Sequence, residues 1–364
     1  MISLILNLTK KYIYIFILIL IPCLIFSNKL FATENNFLVE DLEISEEFDL
    51  NFSKNKVIEK AFSKGFENLL FTILTSKDLP KVNNVNINEI KQLVENFKIK
   101  DEKFKDEKYI ANFDINFNKK KLFSFLENRD LFISIPTKID VFFLPIIIEN
   151  NEILIFNKNL FYTLWLKNKK SNYLINYILP LEDIDELERY ISKTQDIESL
   201  DILNISRKYN LENYIFSLFY KNTNKMNIFS KIKFHDNFTS TNLIFDNINL
   251  DNELLVNSYI ENIKISFEDI WKKNNKINTS IKLTLEIVLE THDFNKISQF
   301  EKIVNKIDLI SSFRIKKFTV NKNIYEISYS GNPYSLIKKF SNFDIPLIYD
   351  GEKWVIQWMN KINF

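Results

Sequence analysis

The chain has 364 residues, enough for two or three hydrophobic cores of ordinary size, and its 48 Lys and Arg against 47 Asp and Glu leave a net charge of +1. That balance supplies no field to draw nucleic acid or anionic lipid, and Arg129, Arg189, Arg207 and Arg314 are its only arginines, the residue that bidentate anion recognition favours. Three glycines cannot build a phosphate-cradling loop, and a single cysteine, Cys23, excludes an internal disulfide.

Lys10 and Lys11 precede an apolar run from Tyr12 to Ser27, followed by Asn28, Lys29 and the stretch Leu30-Phe31-Ala32-Thr33. This is the order of a secretory signal, with cleavage expected between Ala32 and Thr33. As a helix the run reaches roughly 24 Å, short of the roughly 30 Å of a hydrocarbon core. Leu30 is large for a signal-peptidase site, so retention of residues 12–27 as an inner-membrane anchor stays open. Lipidation of Cys23 fits less well, because Pro22 precedes it and Leu-Ile-Phe prolongs the run beyond it. A chain cut at Ala32 has no cysteine left, and losing Lys10, Lys11 and Lys29 leaves it slightly acidic.

Val57, Ile58, Phe62, Phe66, Leu69, Leu70 and Ile73 recur at helical spacing and predict an amphipathic helix over 54–76. Gly65 lies within it at a cost of about 1 kcal/mol relative to alanine, which implies close packing against another element. After Pro80 and Asn83-Asn84 comes a short helix with Ile90, Leu93 and Val94. Tyr109, Ala111, Phe113, Ile115 and Phe117 then alternate as a half-buried strand hairpinned to 97–105. Asn118 is placed to cap a helix carrying Leu122, Phe123 and Leu126. These elements make an N-terminal α/β domain over 33–136.

The run KIDVFFLPIIIEN is too short to span a membrane and suits a strand buried on both faces. Trp165 falls on the next helix, YLINYIL is a second buried strand, EDIDELERYI opens a helix after Pro180, ILNISRKY is a further helix, and NYIFSLFYKN is strand-like. This alternation predicts a partly parallel sheet, extended antiparallel by 225–234 and 240–248, in a middle domain over 137–249.

A long helix over 251–273 carries Leu255, Tyr259, Ile263, Phe267 and Trp271 on one face. Then follow a strand with Ile281, Leu283, Leu285, Ile287 and Leu289, a helix with Ile297, Phe300, Val304 and Ile307, and strands at 313–320 and 323–330 joined at Asn321-Lys322. Asn332-Pro333 starts a helix to about 342, and Asp350-Gly351 turns a last hairpin with Trp354, Ile356 and Trp358 after it. The order β-α-β-β-α-β predicts a ferredoxin-like, split βαβ domain, grouped with the long helix over 250–364. The whole reads as a multi-domain α/β and α+β protein, with mixed-sheet N-terminal and middle units.

Chemistry-bearing patterns are few. His235 and His292 fall in different predicted domains with no cysteine nearby, so neither is expected to ligate a metal, and Asp293 reads as a helix cap. No serine lies in a G-x-S-x-G context. The acidic run Glu182, Asp183, Asp185, Glu186 and Glu188 lacks the glycine turn and spacing of an EF-hand and reads as charge at a helix N-terminus. Trp354 and Trp358 share one strand face, as core packing does. No cofactor, metal site or catalytic residue is expected.

In KAFSKGFENLLFTILT, YIANFDINFNKKKLFSFL, VFFLPIII, YILPLEDIDEL, ISRKYNLENYIFSLF, DIWKKNN and YSGNPYSLIKKFSNFDIPLIYDGEKWVI, taken in order, the chain resembles the exported bacterial family catalogued as domain of unknown function 2066. The resemblance covers most of the chain after residue 32, with Gly65, Trp271, Gly331 and Trp354 as signature positions. Its middle unit is similar in architecture to the N-terminal domain of TolB and related periplasmic modules. The resemblance implies a periplasmic cell-envelope protein of Gram-negative bacteria and assigns no activity. The expected function is a non-catalytic binding or scaffold module with an envelope protein partner, which an exposed sheet edge could accept as an added strand. The alternative is a carboxylate-dependent periplasmic hydrolase using residues such as 182–188, which requires two carboxylates about 5–10 Å apart across a cleft.

Overall fold

The computed structural model describes residues 37–150, 152–167, 172–181, 197–277, 281–319 and 322–358. Cys23, the expected cleavage site at Ala32 and Thr33, the apolar run 12–27, the acidic run 182–188 and the helix it was to open all lie outside them. The described residues form a mixed α/β fold on three sheets within one compact unit, Asn36–Phe364.

The first sheet has the order β1 (Leu38–Glu47), β3 (Lys108–Phe117), β2 (Val94–Lys105), and both ladders are antiparallel. In β3 the five alternating apolar residues are buried, as their period of two requires. Helix α1 (Lys54–Ile73) lies across them, burying Phe62, Phe66, Leu69 and Ile73. A Cβ at Gly65 would stand 2.8 Å from Ile115 Cδ1, so the glycine permits the close approach of helix to sheet. Helices α2 (Ile87–Leu93) and α3 (Lys119–Glu127) close the core. Asn118 accepts from the N–H of Lys121 at 3.0 Å, and Asn86 caps α2 in the same way. The asparagine-rich composition is thus partly used at helix starts.

In the middle sheet the path is β5 (Glu152–Leu154), β4 (Ile139–Glu149), β7 (Tyr214–Asn222), β8 (Lys225–Phe234), β9 (Asn237–Asp246), and β6 (Ile175–Ile178) also pairs with β4. Strand β4 runs parallel to β6 and β7, and the β7-β8-β9 ladders are antiparallel. On one edge of β4, β6 pairs with residues 139–142 and β5 with 147–149. Pro145, which has no N–H to offer a ladder, sits in the gap between them, and the buried Asn159 donates to its carbonyl at 3.0 Å. Val141 and Phe143 enter one core and Phe142, Leu144 and Ile146 another, so β4 is buried on both faces. The second core is covered by α5 (Ile202–Arg207).

The first core is covered by α4 (Leu160–Trp165) and by the long helix α6 (Glu253–Asn274). Here the structure corrects the grouping drawn from the sequence. Val256, Ile260, Ile263, Phe267 and Trp271 pack against the middle sheet, so α6 belongs to the middle core rather than to the C-terminal unit.

The C-terminal sheet has the order β11 (Ile310–Phe318), β12 (Asn323–Ser330), β10 (Lys282–Leu289), β14 (Trp354–Ile356), β13 (Leu347–Tyr349). Helices α7 (Phe294–Lys306) and α8 (Pro333–Asn342) bring Phe300, Val304, Leu336 and Phe340 to its core. Strands β10 and β11 enclose the antiparallel β12, which is the arrangement of a split βαβ unit. The fourth position differs from the ferredoxin-like order. Strand β14, arriving from the Asp350-Gly351 turn, lies parallel to β10 and displaces β13 to the edge. Asn332 caps α8 by accepting from the N–H of Ser335 at 2.7 Å.

Candidate functional site

Helix α6 carries three charged residues, Lys264, Glu268 and Lys272, that are almost entirely buried and stand one helical turn apart. Burial of charge is costly unless each group is bonded, and each of these is. Lys264 Nζ donates to the carbonyl of Trp165, the last residue of α4, at 2.8 Å. Lys272 donates to the carbonyl of Phe71 in the last turn of α1. Both ammonium groups therefore sit at helix C-termini, where unpaired carbonyls and the macrodipole favour a cation. Between them, Glu268 Oε1 accepts from the N–H groups of Leu174 at 3.0 Å and Ile175 at 2.8 Å, anchoring the start of β6. Burial raises the Glu268 pKa above the ordinary carboxylate value, against those two N–H groups and Lys272. Burial likewise lowers that of Lys272, against the attraction of Glu268 and Asp269. Asp269 accepts from Ser76 N at 2.8 Å, and Trp271 Nε1 donates to Thr137 O at 2.7 Å. One helix thus fastens the N-terminal unit to the middle sheet.

Beside Lys264 a cleft of about 370 Å³ opens between α4, β6 and α6, a volume within the range of small-molecule sites. Trp165, Tyr173, Tyr177, Lys138, Asp140 and Asn176 are among its walls. The Lys264 ammonium lies 4.9 Å from the ring centre of Trp165, 5.8 Å from that of Tyr173 and 5.5 Å from that of Tyr177. Trp165 and Tyr177 meet edge to face at 5.2 Å. Asn176 Nδ2 donates to Asp140 Oδ1 at 2.8 Å.

The polar tips of the three aromatic residues have no partner. Trp165 Nε1, Tyr173 OH and Tyr177 OH are buried and unbonded, three of the five such side-chain atoms among the described residues. Buried polar atoms are ordinarily paired, so three orphans on one cleft form a set. The indole N–H can only donate. Burial, helped by the nearby Glu268, raises the Tyr177 pKa well above the ordinary phenol value, so this hydroxyl stays protonated and able to donate. The lining adds the ammonium groups of Lys138 and Lys264 to these donors, against the carboxylate of Asp140, while Glu261 and Glu268 lie near enough to Tyr173 to raise its pKa.

The residues singled out from the sequence do not come together. Gly65 lies in the first core, Trp271 in the middle one, Gly331 just past β12 with φ +97°, and Trp354 on β14 against Tyr349 at 5.3 Å. Each has a packing or backbone role where it stands. His235 is 5.5 Å from the ring of Trp271, and burial lowers its pKa. Asp293 caps α7 through the N–H of Asn295 at 2.9 Å. Among the described residues no group of three His, Cys, Asp or Glu side chains gathers as metal ligands, and no helix is long and apolar enough to cross a membrane.

Lys264, Glu268 and Lys272 do not stand out in the sequence. Their spacing of four beside Ile260, Ile263, Phe267 and Trp271 was the available signal, because it sets charges along the border of the apolar face. No family model matches the chain, and no curated protein matches it.

Proposed function

We propose that the protein is an exported, non-catalytic binding module of the bacterial cell envelope, and that it holds its partner by seating a carboxylate-bearing group in the cleft beside Lys264. The observation that carries the binding part is the set of three buried, unpartnered donors at Trp165, Tyr173 and Tyr177. Leaving such groups unpaired costs about 1–3 kcal/mol each, and since their tips are closed to solvent, a ligand's acceptor oxygens remove that cost by parting the cleft walls to reach them. A carboxylate offers several lone-pair sites and the charge that Lys138 and Lys264 complement. Export is supported by the leader-like order of residues 10–33.

A photoactivatable side chain at Leu166, an exposed lining residue, tests the reading in cells making the full chain. The expected result is a discrete adduct with one envelope protein that disappears in Tyr177→Phe. Mass spectrometry of the chain's own N-terminus should place it near Thr33 in the periplasmic fraction. Adducts unchanged by Tyr177→Phe overturn the cleft, and a cytoplasmic chain beginning at Met1 overturns export.

A further inference from the structure

Strand β9 ends the middle sheet, and among the described residues nothing pairs with its outer edge. Long free edges invite strand addition, and proteins usually guard them with lysines, bulges or short length. The edge strand β2 has Lys98, Lys100, Lys103 and Lys105 and two register breaks. Strand β11 has Arg314, Lys316 and Lys317 and two breaks, and β1 has five acidic residues and one break. Strands β5, β6 and β13 span only three or four residues. By contrast, β9 pairs with β8 over ten residues without a break and has no charge from Asn237 to Phe245.

The register states which backbone groups are free. Phe234 and Asn237 are partners across the two-residue turn His235-Asp236. They must be a hydrogen-bonded pair, since the other antiparallel pattern would need bonds between the adjacent residues 235 and 236. Alternation then sends the N–H and C=O of Asn237, Thr239, Thr241, Leu243 and Phe245 to β8. Those of Phe238, Ser240, Asn242 and Ile244 point to the open edge. The side chains of these four lie on the outer face, where Phe238 and Ile244 are 68% and 65% exposed. Leu243 and Phe245 lie on the other face, against the core under α6.

Phe238 and Ile244 stand three residues either side of Thr241. We propose that β9 pairs antiparallel with β9 of a second copy of this chain, about a two-fold axis through Thr241. Phe238 then faces the partner's Ile244 twice over, an aromatic and β-branched pair of the kind that stabilises sheets. Ser240 faces the partner's Asn242, and all four edge residues exchange backbone hydrogen bonds. Moving the axis to Ser240 sets Phe238 against the partner's Asn242 and Ile244 against the partner's Asp236. Moving it to Asn242 sets Phe238 against the partner's Asp246. The order apolar, polar, polar, apolar along Phe238, Ser240, Asn242 and Ile244 reads the same in both directions, and this self-complementarity is what selects a second copy. No charge lies between Asn237 and Phe245; at each end this register sets Asp236 opposite the partner's Asp246, beside which Lys225 stands at 2.9 Å and offsets the repulsion. A contact of this length falls at the small end of specific interfaces, below about 1,200 Å², so the dimer is weak and concentration-dependent.

At the proposed axis Thr241 is a non-hydrogen-bonded position facing its own copy with Cα atoms about 4.5 Å apart, within disulfide range. The test is Thr241→Cys in a Cys23→Ser background, with Ser240→Cys and the exposed Lys105→Cys as comparisons and mild oxidation of the purified protein. The expected result is a disulfide-linked homodimer from Thr241→Cys at least about ten times faster than from either comparison. Sedimentation equilibrium of the unaltered protein should show a monomer–dimer equilibrium, weakened at least tenfold in Ile244→Lys, an exposed position whose change leaves the core intact. Equal crosslinking at all three cysteines overturns the proposal. So does a protein that stays monomeric at every concentration, or association unchanged in Ile244→Lys.

Discussion

Tyr177→Phe removes one buried oxygen atom and nothing else. The ring lies 5.6 Å from that of Phe143, 5.2 Å from that of Trp165 and 5.5 Å from the Lys264 ammonium, and all three contacts survive the change. The hydroxyl has no partner, so folding leaves its desolvation uncompensated at about 1–3 kcal/mol, and the phenylalanine protein should be more stable by about 1 kcal/mol or more. Tyr325→Phe is the counterpart. Its hydroxyl is bonded to Glu301 Oε1 at 2.9 Å, and losing a bond to a charged group should cost about 1.5–3 kcal/mol. The same chemical change is therefore expected to raise stability at one tyrosine and lower it at the other. Urea unfolding followed by circular dichroism reads both as shifts of the midpoint at constant slope. A Tyr177→Phe midpoint that falls as far as that of Tyr325→Phe would show that the hydroxyl is satisfied in the free protein. The reasoning that makes the cleft a binding site would then fail.

Glu268 has a pKa raised above the ordinary 4.5, so its contribution to stability is fully present below pH 4.5 and is lost as pH rises through the raised folded value. In Glu268→Gln, which keeps an acceptor for Leu174 and Ile175, that part of the slope of stability against pH should vanish; an unchanged slope from pH 4 to 8 would refute the assignment. Gly65→Ala gains about 1 kcal/mol of helix propensity but sets a methyl 2.8 Å from Ile115 Cδ1, and overpacking of about 1–3 kcal/mol should make it net destabilising. Introducing Gly65→Ala into Ile115→Val, which lacks that Cδ1, should instead stabilise, and additivity in the double-mutant cycle would contradict the contact. Gly331→Ala meets ordinary space, its nearest neighbour being Leu309 Cδ2 at 3.6 Å, so its cost of about 1–2 kcal/mol comes from φ +97° alone. Calorimetry showing no loss for that variant would exclude backbone strain there.

How much was legible in the sequence depends on how each element meets solvent. Strand β3 and helix α1 have one wet face, and their periods of two and 3.6 locate them well. Strand β1 is hidden, because Leu42 and Ile44 are its only fully buried residues among Glu40, Asp41, Glu43, Glu46 and Glu47. Periodicity shows that α6 has an apolar face and is silent on which sheet receives it; that depends on the fit of Phe267 and Trp271 against β4 and β8. The Asp350-Gly351 turn announces a hairpin, yet nothing local tells a three-residue strand such as β14 to lie parallel beside β10.

Buried charge poses the opposite problem. Lys264, Glu268 and Lys272 look like part of a solvated face, and only their three-dimensional partners reverse that reading. The carbonyls of Trp165 and Phe71 and the N–H groups of Leu174 and Ile175 come from segments about 90 to 200 positions away. The fold therefore satisfies even a carboxylate and two ammonium groups at this helix through backbone atoms. It leaves unbonded the indole of Trp165, whose own carbonyl receives Lys264, and the hydroxyls of Tyr173 and Tyr177 beside it. General looseness would leave the charges short of partners first, since an unpaired charge costs more than an unpaired hydroxyl. That the cheaper groups are the unpaired ones, and that they share one cleft, is the reason to look for their acceptors in a ligand.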